Sequence, residues 1–122
     1  MARVGIWSKI VGVASTNRPN YQSIAAPMSV PVVLVGLDLN GLGVARSLGI
    51  AGVSVIGLDT DPARPTCRTR YARVHSVAAL AGPPLIDALL DLLTRLTERP
   101  VLLLTQEAAG ATISAERARL SG

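Results

Sequence analysis

Two kinds of block alternate along residues 31–120. Short, unbroken apolar runs occupy 31–36 (PVVLVG), 53–58 (VSVIGL) and 101–104 (VLLL), each stopped by glycine or a polar residue. Runs of this length, β-branched or leucine-rich, predict strands buried on both faces. Between them lie stretches with helical spacing. Residues 41–51 set Leu42, Ala45, Leu48 and Gly49 along one side, and Gly52 is placed to end that helix in the left-handed conformation glycine accepts. The strongest periodicity follows Gly82-Pro83-Pro84, which is expected to break the chain. Leu85, Leu89, Leu92, Leu93 and Leu96 recur on one face, Asp87, Asp91, Thr94, Arg95 and Glu98 take the other, and Pro100 closes the segment. A last helix is expected over 107–120, with Thr105 as its cap and Gly110 weakening it by about 1 kcal/mol relative to alanine.

Residues 59–65 (DTDPARP) are turn chemistry, and Arg73-Val74-His75-Ser76-Val77 reads as a short third strand beyond them. Strand, helix and strand within about 30 residues make a βαβ unit, whose crossover is right-handed. The pattern therefore predicts a three-layer α/β, Rossmann-like domain over residues 31–122, built on a small, mainly parallel sheet. Residues 1–30 lack a sustained period and carry the helix-breaking Pro19. They read as a leader, either a disordered tail or the product of a start upstream of Met28-Ser29-Val30-Pro31. Lys9 interrupts the apolar stretch a secretory signal would need, whereas the basic, acid-free composition is closer to an organelle-targeting segment.

Composition narrows the classes. Of 122 residues, 49% are hydrophobic, which is too many for a disordered chain, and none is Phe. The core must come from Val, Leu, Ile and Ala. The net charge of +4 divides unevenly: Arg3, Lys9 and Arg18 stand in a leader without acids, leaving nine basic and eight acidic residues in 28–122. The basic residues form no helical stripe and aromatics are nearly absent, so nucleic-acid binding is not expected. No apolar run reaches the roughly 18 residues of a membrane span, so no membrane partner is expected. The single cysteine, Cys67, excludes an internal disulfide and a cysteine-cluster metal site, and it suits a reducing, cytoplasmic location.

Candidate chemistry centres on the loop Gly36-Leu37-Asp38-Leu39-Asn40-Gly41-Leu42-Gly43. Ligands of open α/β sheets bind beyond the carboxyl ends of the strands, and this loop leads into a helix N-terminus there. Asp59 ends the second strand at the same edge, where a dinucleotide-binding fold keeps its ribose-binding acid. The loop is nevertheless a poor dinucleotide fingerprint. Read from Gly36, Asp38 replaces the glycine that lets pyrophosphate approach the backbone. Read from Gly41, Arg46 replaces the glycine that packs helix on strand.

The stretch VVLVGLDLNGLGVARSLGIAGVSVIGLDTDP, followed by PTCRTRY, resembles the N-terminal pre-ATP-grasp domain of ATP-grasp carboxylate–amine ligases. The likeness continues through the amphipathic helix, Pro100-Val101-Leu102-Leu103-Leu104-Thr105 and Glu107. Asp38 and Thr69 depart from it, standing where a small residue and a serine are common. The resemblance implies a substrate-side module that helps position a small carboxylate or amino acid, with Asp38, Asn40, Gly41 and Asp59 as binding residues and no catalytic residue or metal ligand of its own. It assigns ATP and Mg²⁺ to an ATP-grasp domain in cis that this stretch does not contain, so the chain is expected to be a fragment or truncated form, inactive alone. A nucleotide- or dinucleotide-binding domain and a non-catalytic interaction remnant, the latter a possible homo-oligomer, are the alternatives.

The same residues also have plainer readings. Asn40 is a favoured helix cap, Asp38 a turn former or helix-start acid, and Asp59 and Asp61 loop acids before Pro62. Arg68, Arg70 and Arg73 read as a solvated basic edge or an anion site. His75 lacks an evident partner, and Ser47 and Thr105 lack a base. Cys67 lies among arginines expected to lower its pKa.

Overall fold

A computed structural model describes Ile10, residues 12–15 and residues 30–121. Five strands, β1 (Gly12–Ser15), β2 (Val32–Val35), β3 (Val55–Asp59), β4 (Arg73–Ser76) and β5 (Val101–Leu104), alternate with α1 (Leu39–Ile50), α2 (Gly82–Arg95) and α3 (Glu107–Ser121). They form one sheet in the order β1-β5-β2-β3-β4, with every pairing parallel. The expected three-layer Rossmann-like architecture is present.

Side-chain alternation divides the core in two. Val33, Val35, Ile56, Leu58, Leu102 and Leu104 face α2 and α3, where Leu85, Leu89, Leu93 and Ile113 are buried. Val32, Leu34, Val55, Val101 and Leu103 face α1 through Val44 and Ala45. The three central strands are buried along their whole length, which explains their apolar sequences up to Asp59 at the end of β3. After β4 the chain returns through α2 to the far side of β2. The direction of winding therefore reverses between β2 and β5, and the reversal puts α1 and α2 on opposite faces.

Three boundaries differ from the sequence pattern. The leader contributes an element where none was expected: Gly12–Ser15 pairs with Val101–Leu104 as the outermost strand, and Ile10 is buried in the α2–α3 core. The rest of residues 1–29, including the expected start region, lies outside the described residues. Pro83 and Pro84 do not interrupt α2 but open it, because the first turn of a helix needs no N–H from those positions. α1 begins at Leu39 rather than Gly41, since its cap is Asp38 and not Asn40. Its end matches expectation. Gly52, at φ 88°, donates to the Gly49 carbonyl, and Val53 donates to Leu48, the paired bonds of a glycine-terminated helix. Among the described residues, no helix is long and apolar enough to cross a membrane.

Candidate functional site

The reversal between β2 and β5 opens at their carboxyl ends, and the glycine loop crosses that opening. Its geometry depends on two glycines. Gly36, at φ 95°, turns the chain directly after β2, and a Cβ built there would overlap the Thr105 hydroxyl. A Cβ at Gly41 would overlap the Gly36 carbonyl, so the first turn of α1 lies directly against the loop. Small residues are required here by the positive φ at Gly36 and by these close approaches.

The loop's own polar groups satisfy it. The half-buried Asp38 is extended (φ −72°, ψ −169°), and its Oδ1 accepts the Gly41 N–H at 2.9 Å. That N–H is one of the unpaired donors with which a helix start would otherwise hold a phosphate. The Asp38 carboxylate thus takes one of those donors and sets a negative charge at the helix start. Asn40 lies exposed in the first turn, one residue past the start of the helix.

Asp59 serves the loop from below. It is 1% exposed, and its Oδ2 accepts the Leu37 N–H at 2.9 Å. Oδ1 accepts the Thr60 N–H at 2.6 Å and stands 3.5 Å from Arg64 Nη2. Burial alone pushes this carboxyl up, but the N–H groups of Leu37, Thr60 and Asp61 and the Arg64 guanidinium outweigh it and hold the pKa below the ordinary value. The acid expected at a ribose is therefore turned inward, anchoring Leu37. Leu37 in turn lies over Gly57, with its Cδ1 2.6 Å from where a Cβ would stand.

Thr105 holds the other side. Its hydroxyl donates to the Val35 carbonyl at 2.8 Å and lies 3.2 Å from the Gly36 carbonyl, joining β5 to β2 at the reversal. It does not cap α3, whose first turn is bonded instead through the Gln106 carbonyl to Gly110. Gln106 was not singled out in the sequence, although its side chain lies against Gly36. Its place directly after a strand at the reversal is the signal that could have found it.

The site thus brings Asp38, Gly41 and Asp59 together around Leu37, with Asn40 on the rim. Other sequence candidates lie elsewhere. Cys67 is buried under α1, where burial, then the Asp59 carboxylate, which also accepts a hydrogen bond from the thiol, push its pKa up. The expected lowering by neighbouring arginines is present only from Arg64 and is outweighed. His75 is exposed on the edge strand β4. Among the described residues no three His, Cys, Asp or Glu side chains gather as a metal site. Comparison with family models, with curated proteins and with solved structures finds no match to this chain.

Proposed function

We propose that this chain is the substrate-side N-terminal module of a protein of the ATP-grasp carboxylate–amine ligase type, with ATP and Mg²⁺ handled by an ATP-grasp domain outside these residues. The observation that supports this reading is the Asp38–Gly41 bond, which sets the protein's own carboxylate at the start of the first helix of a half-Rossmann unit. A loop closed in this way favours a polar wall over a phosphate cradle. Asp38 and Asn40 face a small amino acid or carboxylate in this reading, Gly41 permits the close loop-to-helix approach, and Asp59 positions the loop through Leu37. The lone buried thiol of Cys67 accords with a reducing, cytoplasmic setting.

Acyl-phosphate formation in this reading uses Mg²⁺ together with ATP. Its chemistry is assigned to the other domain. Two measurements on the purified chain test the reading. Supplied with ATP, Mg²⁺, an amino acid and a carboxylate, the chain is expected to show no turnover. An amide NMR titration with small amino acids and short carboxylates is expected to shift Asp38, Asn40 and Gly41. Robust turnover by this chain, or titration shifts that bypass the loop, would contradict the reading.

A further inference from the structure

A concavity of about 650 Å³ lies at the end of the strands opposite to the glycine loop. It wraps the amino-terminal edge of β3 and β4, bounded by Gly49 and Tyr71 on the α1 side and by Ile56 and Leu96 on the α2 side. Its volume falls within the range of small-molecule sites, roughly 300–1,000 Å³.

The polar lining has one sign of charge. Arg70 and Arg73 line the cavity together with Ser54 and Thr69, and no acidic residue does. Arg64 and Arg95 are paired with Asp59 and Asp91, but neither Arg70 nor Arg73 has a carboxylate partner among the described residues. Arg70 is also held in place. Its Nη2 donates to the Tyr71 hydroxyl at 3.1 Å, and its guanidinium carbon lies 5.1 Å from the Tyr71 ring centre. The ring itself sits on α1 because Gly49 has no side chain; a Cβ there would come within 2.6 Å of it. Thr69 Oγ1 accepts the Tyr71 N–H at 3.1 Å and fixes the turn.

One feature of the site opposes an anion, namely the carboxyl end of α1, with its partial negative charge. The last carbonyls of that end are satisfied within the chain. The Ser47, Leu48 and Gly49 carbonyls accept the N–H groups of Ala51, Val53 and Gly52. Two guanidiniums without a carboxylate partner among the described residues thus line a concavity together with Val53, Val55 and Pro31.

We infer that this cavity is a binding site for a small polyanion, whose phosphate or carboxylate oxygens bridge Arg70 and Arg73. It is separate from the glycine-loop site and does not depend on the function proposed above. The two sites occupy opposite ends of the strands, so their signals are distinguishable in one spectrum.

The test is an amide NMR titration of the chain with pyrophosphate and, separately, citrate. Saturable shifts are expected at Ser54, Thr69, Tyr71 and Ala72, with the tighter probe identifying the oxyanion chemistry. In Arg70→Ala/Arg73→Ala the affinity is expected to fall at least about tenfold, as loss of charge-assisted hydrogen bonds predicts. An unchanged amide spectrum for the rest of the domain would show that the variant folds. Absence of saturable shifts at these residues with both probes, shifts confined to other surfaces, or binding undiminished in the folded variant would overturn the inference. Should the double variant not fold, Arg73→Gln, on the exposed edge strand, provides the same comparison.

Discussion

The Asp59 carboxylate, at the end of β3, accepts the backbone N–H of Leu37 across 2.9 Å and ties the glycine loop to the sheet. The bond spans 22 positions and is buried, so its loss leaves an N–H without an acceptor. Asp59→Asn retains the shape but sets an amide NH₂ among backbone donors. Chemical denaturation is expected to show a loss of about 1–3 kcal/mol, the range for an unsatisfied buried group.

The same carboxylate gives the domain an acid-sensitive limb. The folded-state pKa of Asp59 lies below its ordinary value, so the stabilisation is complete above the unfolded pKa of about 3.9 and is lost as pH falls through the folded pKa. Stability measured between pH 6 and pH 2, limits chosen to bracket roughly that interval, is expected to decline more steeply in the wild type than in Asp59→Asn. Parallel curves would contradict the assignment.

Glycines that look alike in sequence are expected to behave in opposite ways. Gly43 and Gly110 are helical, and a Cβ meets nothing within 4 Å at Gly43 and only Leu104 at 4.0 Å at Gly110. Each alanine variant is expected to gain about 0.5–1 kcal/mol. Gly36→Ala combines a positive φ with overlap on Thr105, and a loss of about 1–3 kcal/mol is expected. Thermal melts of the three variants would check the contrast.

Cys67 is expected to resist thiol reagents. It is buried and its pKa is raised, so little thiolate exists at neutral pH. Labelling with a disulfide reagent should be slow in buffer and rise with unfolding in denaturant. Rapid modification of the native domain would show that the thiol is accessible.

The central fold was legible because its strands are buried on both faces and its second helix is strongly amphipathic. Val32–Val35, Val55–Asp59 and Val101–Leu104 could hardly be other than core strands. What escaped the pattern depended on partners distant in sequence. Gly12–Ser15 carries no alternation of its own and becomes a strand only because β5 offers an edge. Asp38 and Asn40 are both good caps; the close approach of Gly41 to Gly36 starts the helix early and selects Asp38. Thr105 was read locally as a cap, whereas its hydroxyl acts across 70 positions on Val35. At the candidate site, sequence identified the edge of the sheet and its acids. It could not show that Asp59 points inward or that the large concavity lies at the other end.

Calorimetric titration of the chain with NAD, FAD and ATP tests the central claim most directly, because Asp38 sets a carboxylate on the Gly41 N–H, one of the donors a pyrophosphate at the loop would use. In Arg70→Ala/Arg73→Ala, which removes the separate anion site, no heat attributable to micromolar binding is expected with any of the three. Micromolar affinity for NAD or FAD in that variant, with amide shifts at Asp38, Asn40 and Gly41, would contradict the account and return the loop to dinucleotide binding.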